Sequence, residues 1–243
     1  ADGVTVTALD SLDTTRSLGS VTLRGVAVPQ DRVLRGAARN ARTVWRILTA
    51  AEAVGVGWAA LQMAVDYAKV REQFGRTIGT FQAVKHHAAN MLVDVEVATA
   101  ATWDAARADD LDSAWFAAAV AAALAIRAQV STTQNNIQLH GGIGYTWEHD
   151  AHLYLRRART LAALMADGGD PLVDVVEGRR SGQAHGASFT LPPEAEDHRA
   201  AAREAAARVR AFPAEQQRDF LVDSGYLVPH WPQPWGRGAT VLE

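Results

Sequence analysis

Cysteine is absent from the chain. That excludes disulfides, thiolate metal sites and cysteine nucleophiles together, and it suits a reducing cytoplasm. An excess of either charge is missing too. The formal net charge is -3, which gives no global pull toward nucleic acid or anionic membrane. Aromatic and basic residues are not interleaved as a single-strand nucleic-acid surface requires. No positively charged, apolar leader opens the sequence. The longest apolar run, Ala114 to Ile126, is mostly alanine and too short to span a bilayer, so it predicts a buried bundle helix and no membrane insertion. No GxGxxG follows a strand, no Walker loop occurs, and no HExxH pattern is present. What remains is ordinary for a soluble globular protein: 243 residues, 48% hydrophobic and 21% charged, enough for one domain or two modest ones.

The first part of the chain reads as strand. "TVTAL" and "SVTLRGVAVP" alternate with period two and are rich in valine and threonine, and Pro29 ends the second run. A lone strand pair is marginal, so this segment is expected to belong to a larger sheet. From Ala37 the pattern turns helical. Val44, Ile47, Leu48, Ala51, Val54, Gly55, Trp58 and Leu61 recur at helical spacing and predict the apolar face of a helix from about Asn40 to Val70. Further helices are expected from about Phe81 to Arg107, from Ser113 to Gln138, and from near Trp147 to "DGGDP" at Asp167–Pro171, with the short element "PLVDVVEG" after it. Long alanine-rich segments joined by short turns predict an antiparallel four-helix bundle in a mainly α chain. "GRRSGQAHGAS" reads as a flexible basic linker, followed by a charged amphipathic helix, a second helix and a structured loop rich in proline and tryptophan.

Two turns invite chemistry. The third helix closes on "STTQNNIQLHGG", with polar residues in sequence from Ser131 to Asn136. Buried polar groups must be satisfied, so these are expected to face water, a partner or a ligand. Gly141 and Gly142 permit close approach of a backbone or a phosphate; taken alone, a plain helix-ending glycine turn is the favoured reading of them. The other turn is "VREQFGRTIGTFQ". Arg71 and Arg76 offer planar donors to phosphate, Phe74 an apolar surface for a flat ring, and Gln73 and Gln82 directional hydrogen bonds. A solvated helix–helix turn is the alternative reading.

Together, "REQFGRTIGTFQ" and "QLHGGIGYTWEHDAHLYLRRA" resemble the C-terminal bundle of the acyl-CoA dehydrogenases, flavoenzymes that remove hydrogens from the α and β carbons of acyl-CoA thioesters. The resemblance runs from about Gly3 to Gly178. It implies that residues 1–36 end a middle β domain, that 37–178 form the C-terminal bundle, and that 179–192 are a linker. Residues 193–243 resemble the opening helices of a second copy, with its proline–tryptophan loop. The implied parent is a fused tandem dehydrogenase of which this is the middle, cytoplasmic, with FAD as cofactor, acyl-CoA as substrate and an electron-transfer flavoprotein as acceptor. Sterol side-chain degradation is the implied context. A second dehydrogenase lobe, fused or separate, is the implied partner.

The same resemblance assigns flavin contacts to Arg71, Gln73, Phe74 and Gln82 in the first motif and to Gln138, Gly141 and Gly142 in the second. The catalytic base does not carry over. Of the two positions that hold it in the family, the one after the fourth bundle helix falls at Met165 and the one early in the first helix at Trp45. Neither side chain abstracts a proton. Asp167 is chemically competent but reads as a turn residue; Glu52 matches no known base. The chain is therefore expected to lend flavin-binding groups to a partner half; a non-catalytic scaffold lobe and an acyl-CoA oxidase are the alternatives. His149, Asp150 and His152 lack a further metal partner and are read as hydrogen-bonding residues. Arg156, Arg157 and Arg159 read as a solvated or interdomain face, and His86 and His87 form no triad.

Overall fold

The computed structural model describes residues 2–183 and 192–240. The chain divides into two compact units, Ala1–His185 and Gly186–Glu243. Part of the expected linker, 184–191, lies outside the described residues.

The first unit opens with an antiparallel ribbon, β1 (Val4–Leu9) and β2 (Leu18–Leu23), in register from Val4 opposite Leu23 to Leu9 opposite Leu18. The second strand stops short of Pro29 because Gly25 turns the chain at φ 61°. Val6, Val21 and Leu23 stay exposed on the ribbon.

Helices follow: α1 (Ala37–Val70), α2 (Gln82–Ala106), α3 (Leu111–His140), α4 (Ala151–Asp167) and α5 (Pro171–Arg180). Short turns reverse the chain between them, and α3 packs against α1, α2, α4 and α5. Asp110 caps α3 by accepting from Ser113 N at 2.8 Å. Asp170 caps α5 by accepting from Leu172 N at 2.9 Å, with Pro171 placed where a missing N–H costs nothing. Between α1 and α2 lies a small hairpin, β3 (Glu72–Gln73) and β4 (Arg76–Thr77).

The core is built from alanine. Ala50 and Ala53 of α1 meet Ala98 and Ala105 of α2 and Ala117, Ala118, Ala121, Ala125 and Ala128 of α3. Small side chains let the axes approach: a Cβ on Gly57 would sit 3.0 Å from Val95 Cγ2. This corrects the expected α1 face. Val44 and Leu48 are exposed, while Thr43, Arg46, Ala50, Ala53, Gly57, Ala60 and Ala64 point inward. Hydropathy alone chose the larger side chains; packing chose the smaller ones, which favour a tight helix–helix seam over a thick one. A second cluster joins Leu61, Ala64, Met91 and Leu139. The membrane argument also changes in detail. The helix holding the Ala114–Ile126 run has 30 residues, and both it and α1 are long and apolar enough by composition to cross a membrane. In the bundle their alanine faces are buried against one another.

The loop between β1 and β2 is clamped to the bundle. Asp13 is buried, and its carboxylate takes Arg157 Nε. Arg157 also donates to Glu52 Oε1 at 2.6 Å and to Thr15 Oγ1 at 2.6 Å. Arg16 grips Glu52 with both terminal nitrogens, at 3.1 and 2.7 Å, and Arg156 donates to Leu12 O at 2.6 Å. The Arg156–Arg157 face is thus an internal docking face for this loop. Glu52 is fully engaged as its counter-ion.

The second unit holds α6 (Glu196–Ala211) and α7 (Ala214–Asp223), then a loop folded on its own backbone. Gly238 N donates to Trp231 O at 2.7 Å, Ala239 N to Pro229 O at 2.9 Å, and a Cβ on Gly236 would fall 2.4 Å from Val228 O. Trp231 and Trp235 remain exposed.

Candidate flavin-binding site

Arg71 ends α1 in extended backbone, and its carbonyl accepts from Ile78 N at 2.8 Å, closing the small hairpin. The two residues at the hairpin's tip, Phe74 and Gly75, have φ 55° and 77°. A two-residue turn with both values positive matches the twist of its strands, and glycine accepts it freely. Phenylalanine does not, and Phe74 is also 91% exposed. A strained, solvated aromatic is doubly costly unless something covers it. Among the described residues the Phe81 ring stands 6.1 Å away centroid to centroid, perpendicular to it. Arg76, its guanidinium 4.1 Å above the Phe81 ring, holds that ring from another side.

Gln73 and Phe74 share a groove of about 310 Å³ with Ile78, Phe81, Val84, His87 and Gln138. Turns far apart in the sequence therefore meet: the tip after α1 and the last turn of α3. Gln73 Nε2 is held by Glu72 O at 2.9 Å, which leaves its oxygen free to accept. Gln138 is exposed. Arg71, Gln82, Gly141 and Gly142 do not line the groove. Arg71 is exposed and, among the described residues, has no side-chain hydrogen bond or ion pair. Gln82 opens α2 from solvent. Gly141 ends α3 at φ 62°, and neither it nor Gly142 has a heavy atom within 4 Å of a built Cβ. The crowded glycine is the third one: a Cβ on Gly144 would meet Ile137 O at 2.6 Å.

The polar run in α3 corrects the expectation that it faces outward. Gln129, Thr132, Thr133, Asn136 and His140 are buried; their spacing puts them on one inward stripe. Some are satisfied by the helix itself, as Thr133 Oγ1 donates to Gln129 O at 2.7 Å. Others are not: Thr132 Oγ1, Asn136 Oδ1 and Gln129 Oε1 lack a hydrogen-bond partner among the described residues. Only Gln134 and Gln138 are freely exposed. Asn135 is half-buried, and its Oδ1 accepts from His87 Nδ1 at 2.8 Å.

Next to the groove lies a stack that sequence reasoning missed. The His140 ring sits 4.4 Å from Tyr67 and 4.2 Å from His149, centroid to centroid, with Nδ1 2.8 Å from Asn136 O. His149 Nδ1 in turn accepts from Ala151 N at 3.1 Å. Burial pushes the His140 pKa below its ordinary 6.5, and His149 adds to the effect, outweighing the Asn136 carbonyl. The fold thus favours neutral imidazole, while the unfolded chain takes up its proton as pH falls through about 6.5. Stability contributed here is complete above that value and lost below it. His140→Phe is expected to flatten this acid limb in thermal melts across pH; an unchanged limb would reject the assignment.

Neither Met165 nor Trp45, the expected base positions, carries a group that takes a proton. Met165 is buried and lines a larger groove of about 650 Å³, floored by alanines, Ile126 and Val130 with Arg127 and Arg159 at its polar wall. Trp45 is half-buried against Gly168. Asp167 is exposed at the end of α4.

The family model for the acyl-CoA dehydrogenase C-terminal domain matches residues 36–165. The chain belongs to the acyl-CoA dehydrogenase family. Acyl-CoA dehydrogenase FadE34 of Mycobacterium tuberculosis is 42% identical over 245 residues, covering 100% of this chain and 34% of its own length. IpdE2 of the same species is 46% identical over 119 residues, 49% of this chain and 36% of IpdE2. Among solved structures, the ChsE4-ChsE5 complex of M. tuberculosis matches with TM-score 0.66 and 30% identity over 74% of this chain and 50% of that one. The "Tcur3481-Tcur3483 steroid ACAD G363A variant" matches with TM-score 0.67 and 29% identity, again over 74% and 50%. The chain thus spans about a third of FadE34 and half of these solved chains.

Proposed function

We propose that this chain is a lobe of a FAD-dependent acyl-CoA dehydrogenase, offering its α1–α2 hairpin and the end of α3 to the phosphate-bearing half of the flavin nucleotide. The observation that carries this reading is Phe74, held in strain and in water on one groove with Gln73 and Gln138. The donor set fits the group. Arg71 provides a guanidinium with no partner among the described residues, the two glutamines provide hydrogen bonds, and Phe74 provides a face for a flat ring. The groove's volume is at the low end of ligand clefts, which run from roughly 300 to 1,000 Å³; it suits part of a dinucleotide, with the remainder held by another lobe.

FAD held here would supply the hydride acceptor for α,β-dehydrogenation of the thioester, and the α proton would need a base. In this chain Arg71 would neutralise phosphate charge, Phe74 would cover an apolar ring, and Gln73 and Gln138 would orient the nucleotide. No side chain at Met165 or Trp45 would move a proton. The base therefore belongs to a partner lobe. Residues 193–243 are proposed as the start of that second copy and 1–36 as the end of a middle domain. Support comes from the single 245-residue match, which runs through both units of this chain within one longer relative. The structural neighbours, a steroid ACAD variant and the ChsE4-ChsE5 complex, favour a sterol-type acyl-CoA and a paired dehydrogenase lobe. An electron-transfer flavoprotein is the proposed acceptor and the cytoplasm the proposed compartment.

The test is the FAD content of the purified full-length protein that carries this chain, before and after Arg71→Ala. A charge-assisted hydrogen bond contributes about 1.5–3 kcal/mol, so FAD affinity should fall about 10- to 100-fold. Unchanged occupancy rejects the site. A wild-type protein with no flavin supports the scaffold alternative, and peroxide release with acyl-CoA supports an oxidase.

A further inference from the structure

The large apolar side chains that the bundle leaves on the outside of α1 are not scattered. Val44, Leu48, Ala51, Gly55, Trp58 and Gln62 are all exposed, and they follow one another at spacings of four, three, four, three and four. Such spacing marks the seam between two coiled helices. No charged side chain stands on this line; Glu52, the nearest acid, is taken up by Arg16 and Arg157. The stripe is about 27 Å long at 1.5 Å per residue. It continues onto α2. Trp58 Nε1 donates to Thr99 Oγ1 at 3.1 Å, which sets that face of α2 beside it. Leu92 and Trp103, seven residues before and four after Thr99, share the face and are exposed. Contiguous exposed apolar residues on two helices mark an interaction surface, where single ones would not.

The order of sizes along the stripe identifies the partner, because it reads alike in both directions. Asn40, Val44, Leu48 and Ala51 lead to the level of Ala53; Gly55, Trp58, Gln62 and Asp66 lead away from it at mirrored spacings. We propose that α1 pairs antiparallel with α1 of a second copy of this chain, about a two-fold axis at Ala53. Ala51 then meets the partner's Gly55, and these small residues let the two axes approach. Leu48 meets the partner's Trp58, and Val44 meets the partner's Gln62. Both copies use one self-complementary patch, as a closed two-fold interface requires. The ends agree in charge. Gly36 gives α1 no side-chain cap, and its first turn holds no acid, so its amides leave a partial positive charge uncovered. Asp66, steadied by Gln62 Nε2 at 2.8 Å, is carried by this register to the level of Asn40, over that end of the other copy.

The test uses the full-length protein that carries this chain. Sedimentation equilibrium should give wild type the mass of an even number of copies, and Gly55→Glu should halve that mass at the same concentration. The substitution spares the fold: a Cβ on Gly55 meets nothing within 4 Å, and a helix interior prefers glutamate to glycine. It places a carboxylate in the middle of the seam. A monomeric wild type, or a variant of unchanged mass, overturns the proposal. Unchanged mass with a lowered Tm means that another part of the same polypeptide covers the stripe, which overturns it equally. The register is tested by Val44→Cys with Gln62→Cys, other cysteines of the full-length protein being changed to serine. These thiols lie about 27 Å apart along their own helix, beyond the reach of a disulfide, yet face each other across the seam. Mild oxidation should link two copies of the double variant and leave each single variant unlinked. No link, or equal linking in a single variant, overturns the pairing.

Discussion

Arg157→Met is expected to destabilise the first unit by about 3 kcal/mol, seen as an earlier denaturant midpoint, because it strands a buried carboxylate. Asp13 has 1% of its surface exposed. Burial alone would raise its pKa; the hydrogen bonds from Thr15 and Arg157 outweigh that and hold it below the ordinary 3.8. Arg157 itself is pushed further up, first by its bond to Asp13 and then, against its own burial, by Glu52. The figure is taken at the lower end of the range for a broken buried pair, about 3–5 kcal/mol, since Arg157 retains 22% exposure. With Arg157 present, the folded state keeps Asp13 ionised while the unfolded chain protonates first on acidification. The pair's stabilisation is therefore complete above about pH 3.8 and lost as pH falls through the lower folded value. Arg157→Met should also blunt that acid limb. Asp13→Asn together with Arg157→Met should recover part of the loss, since no charge is then left buried. A single variant that melts like wild type would show the clamp to be ornamental.

The clamp illustrates what could and could not be read from the chain alone. Helix existence was legible because alanine runs and the "DGGDP" stop are local signals. The inward face of α1 was not. Val44 and Leu48 outrank Ala50 and Ala53 on any hydropathy scale, yet the alanines are inside because neighbouring helices also present alanine. That is information about partners, which periodicity within one helix does not contain. The Asp13–Arg157–Glu52 cluster joins residues remote in sequence and carries no spacing signature at all. The candidate site divides similarly. Phe74 and Gly75 stand in a recognisable two-residue turn, and Gln138 precedes an obvious helix end, so the motifs were visible. Phe81, Val84 and His87 share the groove and stand three residues apart at the start of α2; that spacing puts them on one face without saying what the face meets. The inward polar stripe from Gln129 to His140 also obeys helical spacing. Six polar neighbours in sequence suggest one outward surface, but a helix distributes them around its axis.

Arg46→Met is expected to cost more than any single exposed substitution, about 3–5 kcal/mol, because Arg46 is fully buried and joins two elements. It faces Asp174 of α5 at 2.5 Å and donates to Gly169 O in the turn before α5. Asp174 keeps only 15% side-chain exposure, so a lone carboxylate there would be poorly hydrated; Arg42, 4.0 Å away, is a weak substitute. The pair is nonetheless imperfectly made: Nη1 and Asp174 Oδ2 are close without forming an aligned hydrogen bond, and Arg46 Nε has no acceptor among the described residues. Buried pairs of this kind are costly to break and cheap to replace, as the desolvation of two ions offsets most of their attraction. Arg46→Met combined with Asp174→Leu is therefore expected to unfold within about 1 kcal/mol of wild type, far from the single variant. Equal losses in the single and double variants would mean that the Gly169 carbonyl bond, rather than the ion pair, carries the effect. If that carbonyl bond dominates, Arg46 acts chiefly by holding the Gly168–Gly169 turn against Trp45.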